Sequence, residues 1–316
     1  MMRTATERII STNLSNFQWK QATLPIKHSG LGLICATDLA NAAFYHSVLS
    51  TINLQKEICK DAFCIDNEFF PRSSFEIAKN NMSTQHLEAL NQIYNNSHLK
   101  KGTLTAVIQE EKFKALFSDG SATPLDKARI LSCSGPHSGA FLQVLPVPNI
   151  GTEINNQKML TALKFRLGAN QYGENNNCVS CRSFNDIKGD HAVKCGGSKN
   201  ERVQKHDAVK NAIHKFARSA GYIAVCESKN TFSENRQIPG DVRIDLWKAG
   251  RTGLFDITIT HPTNQTIISK SQKEQGAAAE LAFKRKNDKF LRACDDIGHV
   301  FIPIHLALFT QNLKRS

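Results

Sequence analysis

IPGDVRIDLWKAGRTGLFDITIT, from Ile238 to Thr260, carries two short β-like runs, DVRIDLW and GLFDITIT, and its reading decides the fold of the C-terminal third. A third such run, GYIAVCE, precedes them from Gly221 to Glu227. Ahead of it, KHDAVKNAIHKFARSA (Lys205 to Ala220) sets Val209, Ile213, Phe216 and Ala217 on one helical face, and Gly221 suits the stop. A helix followed by several strands implies a small α/β core. Downstream, AAAELAFKRKNDKF, from Ala277 to Phe290, reads as a further helix.

The acids in these strands are the candidate chemistry. Cutting a phosphodiester needs carboxylates that hold a divalent metal, which positions water and absorbs charge in the transition state. Asp241 opens one strand and Asp256 closes the apolar part of the next, with fourteen residues between them. Adjacent strands bring both carboxyls to one sheet end, and Glu227, at the end of the preceding strand, is a candidate third ligand. Plainer readings exist for each: Asp241 follows Pro239-Gly240 and suits a turn, and Glu227 suits a solvated strand end. Asp256 is harder to explain away, because a carboxylate inside LFDITI is costly to bury without a partner or a metal. Asp245, in phase with Asp241, reads as exposed or salt-bridged.

A lysine completes the set by helical geometry. Phe283, Lys286 and Phe290 fall at i, i+3 and i+7, so Lys286 shares a face with two aromatics and either snorkels or serves a site. Lys284, Arg285 and Lys289 fall toward solvent or DNA phosphate. His206-Asp207 head the first helix, where an acid suits the helix dipole and where a DNA contact or a supporting role is open.

CVSCRSFNDIKGDHAVKC, from Cys178 to Cys195, has the spacing of a small zinc knuckle. Cys178 and Cys181 stand two residues apart, nine residues precede His191, and three more lead to Cys195. A CxxC turn presents two thiolates to one ion, and the later His and Cys close a tetrahedron. Four protein ligands leave no open position, so this Zn2+ would be structural. Gly189, Gly196 and Gly197 relax the backbone around it, and Asp190 reads as an acceptor that orients His191.

Forty basic against twenty-eight acidic side chains give +12, which favours a polyanionic partner, and 41% apolar content excludes a wholly disordered chain. The start, MMRTATERIISTNLS, is charged where a signal peptide is apolar, and no apolar window of ~18 residues follows. The expectation is an intracellular protein with no membrane partner. Nine irregularly spaced cysteines argue against a disulfide framework, and Cys35, Cys59, Cys64, Cys133, Cys226 and Cys294 read mainly as small core hydrophobes. From Asp38 onward, Leu39, Ala42, Ala43, Val48, Leu49 and Ile52 suit an amphipathic helix, and residues 61–120 suit loosely packed helices. Ser, His and Asp between Ala128 and Ala169 form no nucleophilic triad, so that stretch reads as a connector.

The motifs, taken in order, are LPIKHSGLGL, GPHSGAFLQVLP, ALKFRLG, CxxC with GDHAVKC and paired glycines, KHDAV, PGDV, FDITIT, GAAAE and KNDKF. This order resembles the C-terminal portion of reverse transcriptases from non-long-terminal-repeat retrotransposons, of the class ending in a restriction-like endonuclease. The likeness runs from about residue 17 to 308. It implies an α+β chain with four parts: a helical remnant of the reverse-transcriptase C-terminal region (1–120), a helical connector (121–177), a CCHC zinc knuckle (178–197) and a restriction-endonuclease-like core with a mixed sheet (198–316). In that family a Mg2+-dependent PD-(D/E)xK nuclease nicks genomic DNA, and the new 3′ end primes reverse transcription. Asp241 matches the aspartate of the PD motif, Asp256 the second acid and Lys286 the lysine displaced to a later helix. The chain departs in an inserted Gly240, in Thr258 where (D/E)xK has lysine, and in Phe290 where the family often has tyrosine. Ala293-Cys294-Asp295-Asp296 reads as a polar helix end, and no polymerase activity is expected.

Two functions are therefore expected to compete. One is a retroelement-derived DNA endonuclease with structural Zn2+ and catalytic Mg2+, acting on DNA in the nucleus, with element RNA as a further candidate partner. The other is an inactive retrotransposon relic that holds zinc and nucleic acid without cutting.

Overall fold

The computed structural model describes residues 1–59, 72–95, 102–195, 197, 199–227, 240–307 and 310–312. Pro239, Gly196, Cys64 and the end of the likeness at 308 lie outside the described residues. The chain divides into two compact units, Lys20–Gly120 and Met1–Trp19 together with Ser121–Ser316. It opens with α1 (Met2–Ile10) and α2 (Asn16–Ala22).

The Lys20–Gly120 unit is helical. The helix expected from Asp38 starts at Ala36 and runs to Cys59 as α3; it is followed by α4 (Arg72–Asn80), α5 (Thr84–Asn95) and α6 (Gly102–Phe117). The stretch expected to pack loosely closes on a core instead. Ala42, Met82, Ala89, Leu90, Leu104 and Ile108 are buried together, because each polar helix still carries apolar residues at three- and four-residue spacing. The Tyr45 and Phe75 rings stack at 4.5 Å, tying α3 to α4.

The second unit contains the candidate sites. α7 (Pro124–Cys133) begins in a capping box in which Thr123 and Asp126 exchange hydrogen bonds, with Pro124 in the first turn. α8 (Asn156–Leu167) is capped by Asn155 and ends at Gly168, whose φ of 62° is left-handed. A Cβ at Gly168 would lie 2.6 Å from Arg129, so the glycine also gives that guanidinium its passage. Arg129, 1% exposed, donates to both oxygens of Asp190 at 2.8 and 2.7 Å and to Asp126 at 3.2 Å. Asp190 opens α9 (Asp190–Lys194), which follows the ribbon of β1 (Asn176–Asn177) and β2 (Phe184–Asn185).

The remaining order is α10 (Lys199–Ser219), β3 (Ala224–Cys226), β4 (Val242–Lys248), β5 (Arg251–Thr260), α11 (Ile268–Ser271), α12 (Ala277–Asp296), β6 (Val300–Ala307) and β7 (Thr310–Asn312). The strands form one mixed sheet in the order β3-β4-β5-β6-β7, antiparallel except between β5 and β6. β4 alternates, burying Val242 and Ile244, whereas Gly253 to Ile257 of β5 are buried without interruption. That continuous run marks a central strand covered on both faces. Val209, Ile213 and Ala217 of α10 pack with Val242, Phe255, Ile257 and Ile304 on one face. Phe290 and Cys294 of α12 pack with Leu254 and Phe301 on the other.

Phe216 departs from the expected helical face. It is 66% exposed, because Val209, Ile213 and Ala217 centre the apolar stripe and leave residue 216 at its edge. Gly221, at φ 87°, ends the turn after α10 as expected. The overall class is a mixed α+β protein.

The buried Arg129–Asp190 pair yields a stability test. Asp190→Ala leaves a guanidinium buried without its bidentate partner and should cost about 3 kcal/mol in chemical denaturation. Arg129→Met combined with Asp190→Leu should recover most of that loss; a single variant as stable as wild type would contradict the pair's role.

Candidate active site and metal centre

Cys178, Cys181, His191 and Cys195 come together, with one ligand atom of each within 4.8 Å of the others. Cys178 and Cys181 lie in the turn of the β1–β2 ribbon, where the Cys178 N–H donates to Ser183 O and the Arg182 N–H returns to Cys178 O, both at 2.8 Å. His191 sits on α9 and Cys195 at its end. Cys178 Sγ lies 3.6 Å from Cys195 Sγ, and Cys181 Sγ lies 3.2 Å from His191 Nε2. Thiolates bound to zinc at ~2.3 Å in a tetrahedron would sit ~3.8 Å apart, so the spacing suits a metal such as zinc. Backbone N–H groups of Cys181 and Ser180 bring the Cys178 thiol down to about 6, so it is ready to bind as thiolate. Gly197 closes the site, because a Cβ there would lie 2.6 Å from Cys181 Cβ.

Asp190 does not orient His191 as the sequence suggested; its carboxylate is taken by Arg129. Asp186 anchors the short helix instead, accepting from the backbone N–H groups of Asp190 at 3.1 Å and His191 at 2.8 Å. An Asp five residues before the helical ligand His191 is a signal that the sequence contains and that the ligand pattern overshadowed.

The sheet forms the second constellation. Val242 pairs with Phe255, and the Asp241 N–H donates to Phe255 O at 2.7 Å, so Asp241, just ahead of β4, stands beside Asp256 of β5. From α12, Lys286 Nζ reaches Asp256 at 3.0 Å from Oδ1 and 2.8 Å from Oδ2. The flanking aromatics fix the helix phase: the Phe283 ring meets His305 at 5.8 Å, and Phe290 meets Phe301 at 5.6 Å. Lys284, Arg285 and Lys289 are exposed, and Asp245 pairs with Arg243 at 3.1 Å.

Burial pushes the Asp256 carboxyl above its ordinary value; the Lys286 hydrogen bond and charge oppose the rise, and the nearby charge of Asp241 adds to it. His305 lies opposite Thr258 on β6, and burial lowers it to about 4, with Lys286 adding to the effect, so its imidazole is neutral at pH 7. Thr258, where a lysine would complete (D/E)xK, buries its hydroxyl with no hydrogen-bond partner among the described residues.

His206, a weak candidate in the sequence, joins this group directly. Its Nε2 lies 3.1 Å from Asp241 Oδ2, which also accepts the Ile257 N–H at 2.6 Å. Asp207 lies 3.5 Å from His206 Nδ1 and 2.9 Å from Lys210 Nζ. Lys210 in turn binds Glu227 and is raised beyond its ordinary value, first by that contact and then by Asp207. The Glu227 carboxylate is thus engaged by α10, and its backbone N–H donates to Asp241 O at 2.8 Å. Asp241, Asp256 and Lys286 are brought together; Glu227 adjoins them through its backbone. Among the described residues, the Cys178 set is the one group of three or more potential ligands close enough to share an ion.

No family model, curated protein or solved structure matches the chain.

Two outcomes follow from this geometry. Cys178→Ser should lose bound metal, read as zinc per chain by elemental analysis; a wild-type protein that folds without metal would refute the centre. Lys286→Met should raise the Asp256 pKa further. Because a carboxyl with a raised folded pKa loses stability as pH climbs above its unfolded value of ~3.9, this variant should be less stable at pH 7 than at pH 5 relative to wild type. Adding Asp256→Asn should abolish that pH dependence in thermal melts.

Proposed function

We propose that the chain is a retroelement-derived DNA endonuclease that nicks target DNA with Mg2+, with Zn2+ held structurally by Cys178, Cys181, His191 and Cys195. The observation that carries this reading is the convergence of Asp241, Asp256 and Lys286 at one end of the sheet. A helix followed by strands, in the order α10-β3-β4-β5-α11-α12-β6, supports the small α/β core that this reading expects. The partners in this reading are DNA and the element's RNA, and its setting is the nucleus.

The donor set is compatible with Mg2+. That ion takes hard oxygens, is held by one or two protein carboxylates, and completes its shell with water and substrate phosphate. Asp256, whose Oδ2 lies 2.8 Å from Lys286 Nζ, and Asp241 supply two carboxylates. When bound, the ion would supply charge for the scissile phosphate and lower the pKa of a water. The residues do the rest. The Ile257 N–H and His206 hold Asp241 Oδ2 in place, and Lys286 offsets charge that develops on the phosphate. The +12 chain supplies phosphate contacts whose strength falls with salt.

Nicking of supercoiled plasmid with Mg2+ tests the reading. Asp256→Ala and Lys286→Ala should each slow nicking by about a hundredfold or more. Equal activity in all three proteins rejects the site. Thr258 in the lysine position favours the second reading, an inert zinc-containing nucleic-acid-binding module, and DNA binding without nicking by wild type would select it.

A further inference from the structure

A cavity of about 690 Å3 in the Met1–Trp19 and Ser121–Ser316 unit lies on the α10 face of the sheet. Its floor is formed by Ile259 and Leu306, the outer ends of β5 and β6, and its walls come from α8, α10 and the GPHSGAFLQVLP segment. That segment had no assigned role beyond connection. The size falls within the ~300–1,000 Å3 of ordinary ligand sites.

The lining has a definite chemical character. Phe141 and Phe165 give aromatic surface, and Gln157 and Thr161 give groups that can hydrogen-bond a heterocycle edge. Lys158 and Lys205 add positive charge, and no aspartate or glutamate lines the cavity among the described residues. An apolar, aromatic interior beside unopposed cations complements a flat unsaturated ring attached to an anion. A duplex keeps its bases stacked and hidden, so a strand that offers such a ring must be unpaired at that nucleotide.

We propose that this cavity binds one unstacked nucleotide of a single-stranded nucleic acid, with its base against Phe141 and Phe165 and its phosphate near Lys158 and Lys205. Lys205 directly precedes His206, the residue that touches Asp241, so one turn of α10 borders both the cavity and the carboxylates. A strand freed near the carboxylates would have a short path to the cavity. The inference concerns binding and holds whether or not the carboxylate site cuts.

Fluorescence anisotropy with the full chain, without added magnesium, tests it. The probes are a short labelled deoxythymidine strand, its uridine RNA counterpart, the same DNA strand with abasic sites, and a blunt duplex. Ala162→Trp fills the cavity from α8; Ala208→Trp fills it from α10 at an exposed position where the core is undisturbed. Each should weaken binding of the base-bearing strand by about tenfold, and leave the abasic strand and the duplex unchanged. Loss for the DNA strand, with or without the RNA strand, supports recognition of base and phosphate. Binding of the base-bearing strand by Ala208→Trp at wild-type strength overturns the proposal. So does a wild-type protein that binds abasic and base-bearing strands equally.

Discussion

The contact between buried Asp256 and half-buried Lys286 constrains the rest of the C-terminal unit. Asp256 sits in the part of β5 that is buried on both faces, at 6% exposure, and an uncompensated charge there costs several kcal/mol. The partner must come from outside the sheet, so α12 has to lie across β5 and β6 in one rotational setting. Phe290 and Cys294 provide that setting by packing on Leu254 and Phe301, and Phe283 adds its contact with His305. The helix phase, the parallel β5–β6 pairing and the site geometry are therefore consequences of one another. An apolar pair of similar volume would hold the same layers together with no desolvation cost.

A second set of charges runs from Glu227 through Lys210, Asp207 and His206 to Asp241. It joins α10 to the start of β4 and fixes the Asp241 carboxylate from one side, as the Ile257 N–H does from below. The Arg129–Asp190 pair does comparable work for the metal cluster, seating α9 against α7. Cluster and sheet thus belong to one compact unit.

Residues whose role follows from local spacing were legible in the sequence. Cys178, Cys181, His191 and Cys195 declare themselves because one ion needs four donors within a short reach of backbone. Lys286 was legible because the helical period places it between two aromatics, and Asp256 because a lone acid in an apolar strand needs an explanation. What escaped depends on long-range partners. Asp190 was given to His191 by adjacency, although Arg129, sixty-one residues earlier, outcompetes the imidazole with a bidentate contact. Glu227 had the right strand position, but Lys210 on the neighbouring helix claims its carboxylate. His206 reads from the sequence as a helix-start residue, and only the register of β4 shows that it faces Asp241. The cavity left no trace in any single motif, because its lining comes from several elements far apart in the sequence.

The most direct measurement is a crystal structure of the protein with Mn2+ as a substitute for Mg2+, with the ion located by its anomalous scattering. The account predicts an ion at the carboxylates of Asp241 and Asp256, with Lys286 still on the same side of the sheet. Carboxylates that point apart, or an ion bound only at the cysteine cluster, would contradict it.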